Sequence, residues 1–395
     1  MPNAIGRRQL LAGVGAAVLV GALDGCAVGT AVRARTASAS PPLDLPRVMA
    51  STDRITSITV CTRPFRAAGP RVEVERIGAT TVVHNYGHGG SGWSLSWGSS
   101  AVATRLALES GERDIAVIGC GALGLTSALL LQRAGARVVV YAKELPPNVR
   151  SSLATGVWSP DSRICLADRA TPAFRALWER MARDSYQTYQ TLLGLPGDPV
   201  EYFDNYFVSD ASTAGHPRGA ADEGRPPFAR LQRELLGDQL TEPVVFAPGS
   251  HAFGDRRLQR TAQLMFNIPA YARLLTADFL AGGGRIEIAE FHSPSELTRL
   301  REKTLVNATG YGARALFQDQ SVTPVRGQLA HLIPQPDIHY GLVYRDVAFV
   351  PRRDGLVFQV LGDSDYYGFG DEATTPDRAE AEHAVHTIEA LFAPA

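Results

Sequence analysis

The stretch Gly119-Cys120-Gly121-Ala122-Leu123-Gly124 carries glycines at the spacing of a phosphate-binding turn. Gly119 permits the tight turn, and Gly121 lets backbone approach a pyrophosphate. Gly124 lets a helix pack close to a strand. The N-terminus of that helix offers N–H groups and a positive dipole end to phosphates. Downstream, Lys143 and Glu144 end a β-branched run, where such turns place an acid for a ribose hydroxyl. A second stretch, His84-Asn85-Tyr86-Gly87-His88-Gly89-Gly90-Ser91-Gly92-Trp93-Ser94, has four glycines between Gly87 and Gly92. They exclude a regular strand or helix and suit a loop whose backbone lies against a flat ligand. Taken alone, His84 and His88 are ordinary packed or surface histidines.

The elements that must position these residues follow from pattern. Asp114–Ile118 is a short apolar run, Leu125–Ala134 is helical, and Gly135 closes the helix before the strand Arg137–Tyr141. Strand, glycine turn, helix, strand and acid make a βαβ dinucleotide fingerprint in its required context. The apolar spacing from Trp93 to Leu108 is helical, so the second glycine loop runs into a helix. Strands are expected at Arg54–Thr62, Arg71–Ile77, Thr80–Val83, Val200–Val208, Arg285–Ile288 and through Leu342–Val360, and Thr304–Gly310 reads as a short strand running into a glycine turn. Helices are expected at Pro172–Leu193, Pro269–Leu280 and Pro376–Phe392. Residues 210–227, rich in Gly, Pro, Ala and Asp, read as a mobile surface loop.

With 395 residues, 45% hydrophobic, 20% charged and a net charge of −1, the chain has an ordinary globular composition. The near-zero charge gives no basis for nucleic-acid binding. Its four cysteines, Cys26, Cys61, Cys120 and Cys165, show no metal-ligand spacing, so no metal is expected. Nothing in the sequence specifies an oligomeric state. Arg7-Arg8 before an apolar stretch, Leu10–Leu23, resembles a twin-arginine export signal. Leu23-Asp24-Gly25-Cys26 resembles a lipobox, with Cys26 as a membrane tether, although Asp24 replaces the usual small residue. The expectation is an extracytoplasmic protein, lipid-anchored or free, with a flexible linker over 27–53.

Several stretches together resemble the D-amino-acid oxidase family of FAD flavoenzymes. The loop His84–Gly98 is the most specific match. Arg63-Pro64, Tyr141-Ala142-Lys143-Glu144, Gly156-Val157-Trp158-Ser159-Pro160, Asn307-Ala308-Thr309-Gly310 and Arg326-Gly327-Gln328 are further family-like stretches. The order differs: in that family the βαβ unit comes first, and here the Arg-Pro strand and His-Asn-Tyr-Gly loop precede it, as in a circular permutation. The resemblance implies an α/β fold, with a Rossmann-like FAD-binding domain and a mixed-sheet substrate-binding domain. It divides the chain into a signal (1–26), a linker (27–53), an FAD-binding domain (54–165), a mainly substrate-binding part (166–300), an FAD-domain return (301–330), and substrate-domain strands with a last helix (331–395).

The resemblance also implies a reaction. A D-amino acid loses its α-hydrogen as hydride to flavin N5. The imino acid hydrolyses to a 2-oxo acid and ammonia, and O2 is reduced to H2O2. Arg63 matches the family's carboxylate-binding arginine, whose fork pairs both oxygens. Tyr344 falls where the family has a substrate-contacting tyrosine, and Ala348 replaces a second one. Cofactor contacts are implied at Gly119, Gly121, Ala122, Leu123, Gly124, Lys143, Glu144, Ser151, Ser152, Gly156, Val157 and Trp158. They are implied also at Gly89, Gly90, Ser91, Gly92, Trp93, Ser94, Thr309 and Gly310. Ser94 stands where the family offers a hydroxyl to the flavin pyrimidine edge. Ala348 and Asp363, the latter in place of a family glycine, keep open a related flavin enzyme acting on glycine or another amine, or a catalytically weak flavin-binding lipoprotein. The glycine turn alone also fits a nicotinamide-dependent dehydrogenase. The His84–Gly98 loop and Arg63 resemble parts of a flavin pocket instead.

Overall fold

Two sheets share the chain. In the computed structural model, which describes residues 43–210, 222 and 224–393, the first contains β2 (Val74–Ile77), β3 (Thr80–His84), β4 (Asp114–Ile118), β5 (Arg137–Ala142), β9 (Arg285–Ile288) and β10 (Thr304–Asn307). Their order is β2-β3-β10-β4-β5-β9, parallel except for β2 at one edge. The interior strands β3, β4 and β10 are buried nearly throughout, as expected of parallel strands covered on both faces. Helix α1 (Ser96–Leu108) and helix α2 (Ala122–Arg133) pack on this sheet, with α3 (Pro172–Gln190) against α1.

The second sheet holds β1 (Ile55–Arg66), β6 (Val200–Ser209), β7 (Val244–Phe246), β8 (Arg257–Phe266), β11 (Val322–Leu332), β12 (Tyr340–Tyr344), β13 (Val347–Arg352) and β14 (Gly355–Val360). Its order is β1-β11-β14-β13-β12-β6-β8-β7. Only β12 and β6 run parallel. The C-terminal helix Arg378–Leu391 covers one face through Ala381, Ala384, Val385, Ile388 and Leu391. Asp377 caps that helix by accepting from the N–H groups of Ala379 and Glu380.

The expected elements are present with shifted ends, and several assignments change. Helix α2 starts at Ala122 rather than Leu125, so the last residues of the glycine turn are already helical. The strand expected at Arg71 shortens to Val74–Ile77. β8, whose Arg, Gln and Thr residues gave no expectation, pairs along all of β6. β1 and β11 belong to the second sheet, where Ile55–Arg66 pairs antiparallel with Val322–Leu332; the sequence placed both in the cofactor domain. The helix Ile268–Ala281 and β9, placed in the substrate part, lie with the first sheet. The linker ends early. Val48 and Ala50 are buried in the second core, and Tyr340 Oη donates to the Pro46 carbonyl. The signal, Cys26, the linker up to residue 42 and most of the 210–227 loop lie outside the described residues. No helix among the described residues is long and apolar enough to cross a membrane.

Candidate functional site

A cavity of about 960 Å³ lies between the two sheets, at the upper end of the range for ligand sites. On the first-sheet side, β4 delivers the glycine turn. Gly119 has φ +107, and a Cβ there would sit 2.6 Å from the Ala308 carbonyl, so only glycine fits. A Cβ on Gly124 would lie 2.0 Å from the Gly119 carbonyl, which is the close helix–strand packing the fingerprint predicts. No side chain caps α2 at Gly121; instead Ser151 Oγ accepts from Ala122 N–H at 3.1 Å. The positive end of a 12-residue helix thus meets the cavity, which suits phosphate.

The return turn after β10 faces the glycine turn. Asn307 Oδ1 accepts from Thr309 N–H and Oγ1–H at 3.2 and 2.8 Å, which holds the turn. Asn307 Nδ2 lies 3.1 Å from His84 Nδ1, and His84 Nε2 lies 2.9 Å from Glu75. An amide N–H can only donate, so His84 accepts through Nδ1 and donates through Nε2 to the carboxylate. Burial lowers the His84 pKa, which keeps this neutral tautomer. His88 is also wholly buried, and desolvation lowers it to about 3.

The second glycine loop is tied to both sheets. Gly89 N–H donates to the Pro64 carbonyl at 2.9 Å, and Gly90 N–H to the Ser162 carbonyl at 2.8 Å. Cβ atoms at 89 and 90 would collide with Arg163 and Ser162, so these glycines serve packing against chain. At Gly92 a Cβ would meet nothing within 4 Å. Trp93 Nε1 donates to the Ser151 carbonyl at 2.7 Å. Ser94 Oγ accepts from Ser159 N–H at 2.8 Å and keeps its own proton to donate.

Arg63 reaches the cavity from β1. Its Nη1 donates to the Arg326 carbonyl at 3.3 Å. Among the described residues no carboxylate lies within salt-bridge distance of it. A half-buried guanidinium with most of its fork unused is a receptor for a planar anion.

Of the residues named from sequence, Arg63, Gly89, Gly90, Gly92, Trp93, Ser94, Gly119, Gly121, Ala122, Leu123, Lys143, Glu144, Ser151, Gly156, Val157, Thr309 and Gly310 line this cavity. Five do not. Gly124 is a packing glycine, as above. Ser91 turns its hydroxyl to the Ser162 carbonyl. Ser152 Oγ and Trp158 Nε1 are sealed in the protein, Trp158 against Tyr186. Tyr344 is the substantive correction. Side chains alternate along β12, and it is Val343 that faces the cavity. Tyr344 points into the opposite core, and its Oη donates to Asp210 at 3.1 Å. Lys143 is held by Glu290 at 2.9 Å, while Glu144, the acid beside it in the cavity, has no ion-pair partner among the described residues. Sequence reasoning missed Asn205, Gln263 and Gln359, which enter from β6, β8 and β14. Their strand phase was the only signal.

The glycine turn, the helix N-terminus and the return turn fit the two phosphates and riboses of a dinucleotide. The loop Gly92–Ser94 and Arg63 extend the same cavity beyond it. A family model described as FAD dependent oxidoreductase matches residues 114–395. The D-amino-acid oxidase of Rubrobacter xylanophilus is 30% identical over 283 residues, covering 70% of this chain and 76% of the relative. That of Streptomyces coelicolor is 27% identical over 297 residues, covering 71% and 78%. Among solved structures, iminodiacetate oxidase from Chelativorans sp. BNC1 is similar with a TM-score of 0.49 at 16% identity, covering 70% of this chain and 79% of that one. The chain belongs to the family of FAD-dependent oxidoreductases that includes the D-amino-acid oxidases, and its cofactor is FAD.

Proposed function

We propose that the protein oxidises a D-amino acid to the 2-oxo acid, with release of ammonia and reduction of O2 to H2O2. The observation that carries this is Arg63, a guanidinium without a carboxylate partner among the described residues, in the same cavity as the dinucleotide turn. Bound FAD supplies the acceptor for the two electrons and hydrogen leaving the substrate α-carbon, and passes them to O2. The chain's own residues bind and orient. Arg63 pairs the carboxylate and fixes the substrate by that end. Lining side chains of Val343, Ala348 and Val350 contribute apolar wall. Among the described residues no carboxylate enters the cavity near Arg63: the acids that line it are Glu144 and Glu290, which follow β5 and β9. The amine is therefore not held as an ammonium ion pair, and its neutral form, needed for loss of hydride, is not penalised.

The chain order is, on this proposal, a circular permutation of the family's. What supports it is that the family model begins at residue 114, while β3 and α1 from residues 80–108 complete the sheet that carries the glycine turn. Export by the twin-arginine-like signal, with Cys26 as lipid anchor, is part of the same proposal, supported by the residues quoted above. The test is H2O2 release by the full-length, FAD-loaded protein on D-amino acids and their L-enantiomers. Turnover confined to D-enantiomers supports the proposal. Turnover of glycine or L-amino acids alone contradicts it.

A further inference from the structure

Four residues on successive strands lie directly opposite one another across the second sheet. Gln359 on β14 pairs with Ala348 on β13, Ala348 with Val343 on β12, and Val343 with Phe207 on β6. All four line the cavity. Each is less buried than the residues before and after it in its strand. They therefore form one accessible lane across the sheet, and Phe207, 37% exposed, marks its open end.

Arg63 stands at the closed end. Its guanidinium lies over Gly327 on β11, the strand next to β14. From β11 to β6 is four strand spacings, roughly 19 Å at about 4.8 Å each. A short amino acid anchored at Arg63 covers only the first part of that length. At β13, about two spacings out, the lane is floored by Ala348, which adds little bulk. Beyond it, Asn205 lies on the same face of β6 as Phe207, two residues away. Its Nδ2 donates to Gln263 Oε1 at 3.1 Å. Gly341 makes room for that amide, since a Cβ there would be 2.8 Å from Asn205 Oδ1. The pair leaves an amide carbonyl and an amide N–H₂ for a ligand. No acid among the described lining residues is at this end, so a cation would find no partner.

We propose that the site takes amino acids with long side chains ending in a neutral, amide-like group, anchored at Arg63 and read at the far end by Asn205 and Gln263. The inference rests on the amino-acid oxidase reading above. It names the substrate class of that same site. Ala348 and Asn205 are specificity-determining residues, the first by leaving the lane open and the second by hydrogen bonding.

The test compares kcat/KM of the full-length holoenzyme for D-alanine, D-norleucine, D-lysine and Nε-acetyl-D-lysine. The expected result is a preference of at least tenfold for Nε-acetyl-D-lysine over D-alanine and over D-lysine. Ala348→Tyr is expected to lower the acetyl-lysine to alanine ratio at least tenfold, and Asn205→Leu to bring acetyl-lysine down to the level of norleucine. Calorimetric binding of 6-acetamidohexanoate, which has no α-amine to oxidise, is expected to weaken in the same two variants. Equal turnover of D-alanine and Nε-acetyl-D-lysine overturns the inference while leaving the oxidase reading intact. So does an unchanged ratio in Ala348→Tyr that still binds FAD. Turnover of no amino acid, with FAD bound, overturns both.

Discussion

Arg63 and Gly327 are in such close contact that a Cβ on the glycine would lie 2.6 Å from Arg63 Nη2 and 2.7 Å from Nη1. The missing side chain is thus what lets the guanidinium lie flat across β11 and aim its fork into the cavity. Gly327→Ala is expected to displace the fork and raise KM for a D-amino acid at least tenfold, with FAD affinity unchanged. Arg63→Ala removes charge-assisted hydrogen bonds of about 1.5–3 kcal/mol and is expected to lower kcat/KM by about 10- to 100-fold. Steady-state kinetics beside an FAD titration checks both. Unchanged KM in either variant contradicts the role of Arg63.

Tyr344 is expected to be dispensable for turnover. Its hydroxyl is engaged with Asp210 on the far side of the sheet. Tyr344→Phe is expected to keep kcat/KM within about twofold and to lose about 1 kcal/mol of stability with the hydrogen bond. Kinetics and denaturant unfolding of one preparation measure both quantities. A tenfold loss of kcat/KM at unchanged stability would restore the tyrosine to the site.

The chain Glu75–His84–Asn307–Thr309 links β2 and β3 to the turn at the cofactor end. Asn307→Leu strands a buried His84 acceptor, at a cost of about 1–3 kcal/mol, and frees the turn. FAD affinity is expected to fall at least tenfold, read by titrating apoprotein with FAD. If affinity is unchanged, the turn is held by something else.

His88 gives a pH dependence. Its folded pKa is lowered to about 3 from an ordinary 6.5 by burial. Below 6.5 the unfolded chain binds a proton that the folded chain refuses, so stability is whole above pH 6.5 and is lost as pH falls toward 3. The expected slope from this one group is about 1.4 kcal/mol per pH unit within that window. Denaturant unfolding at pH 7 and pH 5 should show it, and His88→Gln should flatten it by about that amount. An identical slope in His88→Gln would mean that the imidazole is solvated or protonated in the fold.

The parts of the fold that were legible in the sequence are those with local signals. Gly119, Gly121 and Gly124 between two β-branched runs define β4, α2 and β5 within one short stretch, and the Gly87–Gly92 spacing marks a loop before α1. Sheet membership is not local. β1 and β11 look like any strands, and only their mutual pairing takes them to the second sheet. The face that Tyr344 presents is not legible either, because a shift of one residue along a strand reverses the face. Asn205, Gln263 and Gln359 carry no motif. They become site residues because three strands distant in sequence present them to one cavity.

Oxidation of a D-amino acid held at Arg63 by its carboxylate is tested by anaerobic mixing of the FAD-loaded protein with a D-amino acid, followed by the absorbance of oxidised flavin. The D-enantiomer is expected to bleach the flavin and the L-enantiomer not to, and Arg63→Ala is expected to need at least tenfold more substrate for the same rate. Flavin that stays oxidised with every D-amino acid, or is bleached equally well without Arg63, would contradict it.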